Sequence, residues 1–304
     1  MTGTDEAEAA ATAADEALYV LTAVLLTPAQ FPSVLGDDYP EACAALGLGP
    51  YAQGYGLVLG QDGTGARWTV VVDDVSLVAV AIASWDCGME YELSPDERTV
   101  VAALPGWPLE LAISAPDVPA PHDPEPAPDI PRPLTPPDTS EWGPAQRRLG
   151  ADEIALQWAT WREQLGSDAF APGEPDDEAS PAESSTPSQD EAVGAAGETP
   201  ETTTLTDGEH PADEGELTGV RRVLAELRGY LDTAPPIGRV RSAFAPGGAR
   251  TLRADGPGWS LVARTDDIAF VLLDACPGEV HPIGRGTELP ALLDALDGIA
   301  VRPA

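Results

Sequence analysis

The 304-residue chain has no Lys and no Asn, and it holds only two Met, four Phe, three His and three Cys. All 16 of its basic side chains are Arg, set against 51 Asp and Glu, for a formal net charge of −35. A polyanion of this kind is repelled by phosphate backbones and anionic lipid, which excludes general nucleic-acid and membrane-surface binding. Cys43, Cys87 and Cys276 are odd in number and far apart, so they make no disulfide framework, and the cytoplasm of a bacterium is the expected compartment. The opening residues MTGTDEAEAA are acidic where an export signal is basic. The apolar run over residues 17–26 is too short for a bilayer, and no membrane insertion is expected.

Catalytic signatures are missing too. Gly-x-Ser-x-Gly does not occur, and residues 60–65 (GQDGTG) lack the Lys of a phosphate loop and the spacing of a dinucleotide fingerprint. His122 and His210 fall in Pro- and acid-rich stretches that offer no scaffold to hold them. Cys276 and His281, five residues apart, supply at most two metal ligands, where a structural zinc site takes four. The pairs Asp73-Asp74 and Asp266-Asp267 read as solvated turn residues. No catalytic residue, cofactor or metal is therefore assigned. The expected class is a non-enzymatic, protein-binding adaptor or chaperone.

What the chain does have is sharply divided. Residues 1–114 carry 17 acids and 2 Arg, residues 115–214 carry 23 and 4, and residues 215–304 carry 11 and 10. The middle region is rich in Pro, with APDVPAPHDPEPAPDIPRPLTPP over residues 115–137, and rich in acids, Ser and Thr over residues 171–214. Such composition suits polyproline II or disorder, because it buries too little to offset the entropy of ordering. One exception lies within it. In GADEIALQWATWREQLG, residues 150–166, Ile154, Trp158, Trp161 and Leu165 share one face of a helix expected over about 152–165. That face either docks on one of the chain's own domains or presents two Trp anchors to a partner.

Both flanking regions read as small α+β domains with antiparallel sheets. In the first, an Ala-rich helix over residues 5–26 leads to a short helix at 41–46 and a strand at 55–59. A hairpin of strands 67–72 and 75–83 then turns at Asp73-Asp74. A strand at 89–93, a helix opened by the capping box Ser94-Pro95-Asp96-Glu97, and a strand at 109–114 complete it. In the second, a helix at 217–231 precedes strands at 239–244 and 249–254, a hairpin of 259–264 and 268–274 turning at Asp266-Asp267, an extended stretch at 279–283, and a terminal helix capped by Thr287. The runs WTVVVDDVSLV from Trp68 and WSLVARTDDIAFV from Trp259 align as an internal repeat, making the two domains related. The second domain concentrates Arg: Arg221, Arg222 and Arg228 on its helix and Arg239 and Arg241 on the first strand form a candidate dock for an acidic partner or for acidic segments of this chain.

From Gly238-Arg239-Val240 through the Trp259 hairpin to GRGTELPALLDAL, residues 284–296, the chain resembles the end of the EspG family, the cytoplasmic chaperones of type VII secretion. The resemblance covers about the last quarter of the chain. It implies two pseudo-symmetric α+β halves and a partner-binding role without catalysis. The long Pro-rich insert departs from the family pattern. A second class remains open beside the adaptor: a sensory or catalytic module with a small-ligand pocket between the two domains.

Overall fold

The computed structural model describes residues 18–87, 91–93, 96–107, 122–130, 132–136, 138, 140–165 and 211–302. The described chain is α+β, with two antiparallel five-stranded sheets. The expected strand at 109–114, residues 5–17 of the first expected helix and residues 171–210 lie outside the described residues. No helix among the described residues is long and apolar enough to cross a membrane.

The first sheet runs β4-β1-β2-β3-β5, from β1 (Leu18–Leu26), β2 (Tyr55–Asp62), β3 (Arg67–Val72), β4 (Tyr91–Leu93) and β5 (Val100–Pro105). Residues 18–26 are thus a strand and not the end of a helix. A continuous apolar run fits either state, and this one is flanked by β2 and β4 with side chains buried on both faces. Between β1 and β2, a 3-10 turn (Ser33–Leu35) leads into α1 (Tyr39–Ala45). Asp38 Oδ1 accepts from the Glu41 backbone N–H at 2.9 Å, and Glu41 Oε2 accepts from that of Asp37 at 2.9 Å. These are reciprocal capping bonds at the helix start.

The expected hairpin at Asp73-Asp74 is not formed. Asp74 Oδ1 accepts from the Ser76 backbone N–H at 2.9 Å and from its hydroxyl at 2.6 Å, opening α2 (Val75–Asp86) in place of a strand. The Val-rich sequence favours a strand by propensity, but the helix buries Val78 and Ala81 against Val20, Ala23, Val58, Val70 and Val72. Gly56 makes this packing possible, because a Cβ there would meet the Val78 side chain at 2.2 Å. The helix expected after Ser94 is also absent from residues 96–105. Asp96 instead closes a turn, taking the Arg98 N–H on its side chain and the Thr99 N–H on its carbonyl, and β5 follows to cover the edge of β3. Thr99, Val100 and Val101 are β-branched, which suits that strand.

The second sheet is a plain meander, β6 (Val240–Phe244), β7 (Arg250–Gly256), β8 (Trp259–Arg264), β9 (Ala269–Leu273) and β10 (Cys276–Ile283) in spatial order. The hairpin at Asp266-Asp267 forms as expected. Because Asp73-Asp74 starts a helix and the strand orders of the two sheets differ, the aligned runs do not form equivalent hairpins, and the internal repeat is not upheld. One face of this sheet packs on α5 (Pro211–Asp232) and α6 (Leu289–Ile299) through Val223, Leu227, Trp259, Leu261, Val271, Leu293 and Leu296. Glu288, not Thr287, holds the cap position of α6, without a side-chain cap bond.

The other face is covered by α3 (Pro144–Leu156) and α4 (Trp158–Gln164), which bend at Gln157 (φ −110°, ψ 33°). The helix expected over about 152–165 is therefore two helices, and it begins earlier. Ala151, Ile154 and Trp158 pack on Val262, Ile268, Phe270 and Leu272. His122 also has a scaffold after all. Its backbone N–H donates to the Gly65 carbonyl and its carbonyl accepts from Arg67, fixing this part of the Pro-rich stretch to the start of β3.

Candidate binding groove

The four residues read as a partner-binding face sit together on the chain's own second sheet. Ile154 is fully buried, and Trp158 is 9% exposed with its ring edge-on to Phe270 at 5.2 Å. Trp161 and Leu165, half-buried, join the same cluster. The Trp158 indole N–H donates to Asp267 Oδ2 at 3.1 Å, while Arg162 Nε donates to Oδ1 at 3.0 Å. The face offered to a partner by the sequence reading is thus occupied by the protein itself.

The arginines read as an acidic dock divide as well. Arg221 and Arg222 lie exposed on α5, with Glu226 at 3.7 Å from Arg222, and Arg228 bonds Glu288 at 2.6 Å. Arg239 and Arg241 lie elsewhere, at the junction of the two halves. Arg239 is ion-paired with Asp38 of the first half, and Arg241 is buried on Asp255 at 2.5 Å. Acidic residues of the first half do meet this region, and they are Asp37 and Asp38.

The centre of the junction is a pair the sequence reading passed over, Arg147 and Arg148 on α3. Arg147 is 0% exposed and ion-paired with Asp37 in the first half and Asp274 in the second, with its Nε donating to Ser260 Oγ at 3.2 Å. Arg148 bonds Asp255 at 3.1 Å and stacks over the Phe31 ring at 3.7 Å, with Arg241 on the same ring at 4.9 Å. The negative face of the buried Phe31 ring attracts both guanidiniums, an attraction that is stronger where water is excluded. A signal was present in the sequence: only four Arg fall in the middle region, and two are adjacent.

Charge is unevenly satisfied here. Burial alone would raise the Asp255 carboxyl, but Arg241, Arg148 and Arg253 outweigh it and hold it well below the usual carboxylate range. For Asp37, burial and then the Asp255 charge win over Arg147 and push it up to about 7. Burial and then Arg241 pull Arg148 down to about 9, which leaves it charged at neutral pH. Asp37 therefore holds a proton in the folded protein between the ordinary carboxylate range and about pH 7, where the unfolded chain has released it. Stability contributed by that proton is lost as pH rises through this window. Urea titrations at pH 5.5 and 8 should show a fall on the order of 2 kcal/mol, at 1.36 kcal/mol per unit of displacement and allowing for the shared charge with Asp255. Asp37→Asn should flatten the fall, and an unchanged pH profile in that variant would refute the assignment.

Above this network the two halves enclose an open groove of about 730 Å³. Val24, Leu25, Phe31, Pro32, Ile82 and Leu156 give it apolar walls, and Arg148, Arg241 and Arg253 with Asp152 make its polar side. Arg253 is ion-paired with Asp152. Among the described residues, Nε of Arg148 and Nε and Nη2 of Arg253 are buried without a hydrogen-bond acceptor, the carboxylates of Asp152 and Asp255 standing 4.0 and 3.9 Å away. At the groove itself three guanidiniums, of Arg148, Arg241 and Arg253, meet two carboxylates, of Asp152 and Asp255. Behind them Arg147 meets two, of Asp37 and Asp274, so the positive excess is local to the groove side. Compared with protein-family models, curated proteins and solved structures, the chain matches none, and its functional reading rests on this geometry.

Proposed function

We propose that this protein is a binding module whose groove between the two halves takes an organic anion with an apolar body. The observation that carries the reading is the excess of guanidinium over carboxylate beside apolar walls. An incoming carboxylate offsets the local excess and, once the partly exposed Asp152 side chain swings away from Arg253 and opens the guanidiniums to the groove, supplies the acceptor that the buried Arg253 and Arg148 N–H groups lack, at the bidentate geometry guanidinium favours. The apolar body then covers Ile82 and Leu156, in a volume ordinary for small-ligand sites.

Thermal unfolding of the full chain with straight-chain probes tests this. Decanoate should raise Tm in a saturable, dose-dependent way, as any ligand of the native state does, whereas decylamine of equal length should not. Leu156 is 86% exposed, so Leu156→Asp leaves the fold intact and should abolish the decanoate shift. Equal shifts with both probes, or none, would refute the reading.

A protein-binding adaptor is the second reading, supported by the 91% exposure of Phe244 on the edge strand β6, beside the groove-lining Ala243. It agrees with the role implied by the resemblance to EspG chaperones. Affinity purification from native cytosol should then yield one stoichiometric partner that is lost in Phe244→Asp but retained with Leu156→Asp.

A further inference from the structure

The edge strand β10 carries a feature outside the groove. Its register against β9 pairs Cys276 with Leu273 and Val280 with Leu272, so three residues of β10 bulge out where β9 advances by one. Gly278, at φ +78°, turns the chain within that bulge, a conformation costly for a residue with a side chain. The bulge folds Glu279 back toward Cys276. His281, opposite Val271, stands on the same face of the sheet as Cys276. One ligand atom from each of Cys276, Glu279 and His281 lies within 4.8 Å of the other two.

Two ligands are thus three, because a bulge brings in a carboxylate that sequence spacing alone does not place. A second observation points the same way. Among the described residues His281 Nε2 is buried with no hydrogen-bond partner, a costly state for an imidazole nitrogen unless something binds it. We propose that Cys276, Glu279 and His281 form a site for a borderline divalent transition metal, Zn²⁺ by the chemistry of its donors. Thiolate, imidazole and carboxylate are the donor types zinc takes, whereas Mg²⁺ and Ca²⁺ take oxygen alone. Bond lengths of about 2.0–2.3 Å put ligand atoms roughly 3.3–3.8 Å apart in a tetrahedron. The exposed Glu279 side chain closes the difference by rotating. Three protein ligands leave the fourth position to water or to an incoming donor.

Titration of the full-length, reduced chain with Co²⁺ tests the site, because cobalt reports its ligands in its spectrum and an acidic chain also collects cations on surface carboxylates. Site binding should give a thiolate-to-cobalt charge-transfer band in the near ultraviolet with intense tetrahedral visible bands, both bleached by one equivalent of Zn²⁺. Cys276→Ser should remove the charge-transfer band, and His281→Ala and Glu279→Gln should each weaken binding tenfold or more. Cys87→Ser should change nothing. Far-ultraviolet circular dichroism of the metal-free variants checks that each is folded. A weak octahedral cobalt spectrum alone, or a charge-transfer band that survives Cys276→Ser, would overturn the proposal.

Discussion

Arg147→Ala should lower the unfolding free energy of the full chain by about 3–5 kcal/mol in urea titration, the cost of breaking a buried ion pair by removing one partner. The side chain is fully buried and serves both halves, reaching Asp37 on one side and Asp274 and Ser260 on the other. Its loss leaves Asp37 nearly inaccessible to water with no counter-charge, whereas Asp274, one-third exposed, recovers hydration. The damage should therefore depend on pH. Below pH 5.5 Asp37 is protonated with or without Arg147 and the deficit is smallest, and above about pH 7 it grows, because Asp37 without its guanidinium holds its proton to higher pH. A double-mutant cycle with Asp37→Ala should show strong coupling, because once the acid is gone the arginine has less to neutralise. A loss under 1 kcal/mol, or one independent of pH, would mean the network is a bystander to the joining of the two halves.

How much of this was legible beforehand depends on where the information lay. The second sheet is readable strand by strand, because its turns carry their own chemistry: the Asp267 N–H donates to the Arg264 carbonyl within one turn, and Gly247 and Gly248 supply the positive φ of another that the Ala245 N–H closes on the Ala249 carbonyl. The first half defeated the same reasoning at each point where packing chose between states of similar local preference. Val75 to Ala83 is β-rich by composition, yet Gly56 opens space on the sheet for a helix and Asp74 starts one. The run from Leu18 to Leu26 fits a helix by its apolar content, but a central place in a sheet covered on both faces asks for the same residues. Of the groove, single residues were visible and their meeting was not. The acidic dock expected at Arg241 is filled by an acid, Asp255, of its own half. Arg147 and Asp37 are 110 residues apart, and no local pattern pairs them.

The face of α3 and α4 marks the same limit, and it yields the second large effect. Trp158→Ala should cost about 3–5 kcal/mol, the range for truncating a buried aromatic side chain. The ring fills the space over Phe270 and, among the described residues, its N–H is one of two side-chain donors on the Asp267 carboxylate, so the variant opens a cavity and leaves that carboxylate with the Arg162 bond but without the indole. Trp161→Ala, half-buried at the rim with its ring 6.4 Å from Phe270, should cost about 1–2 kcal/mol, by the lesser burial of apolar area. A helix held out for a partner makes the opposite prediction: the double variant would lose partner capture while the melting of both halves stayed the same. Calorimetry of the single and double variants separates the two. A large fall in the second half's Tm shows the helix to be part of that half's core. An unchanged Tm would return the helix to the role of a tethered anchor, and with it the aromatic pair as the first place to look for a partner.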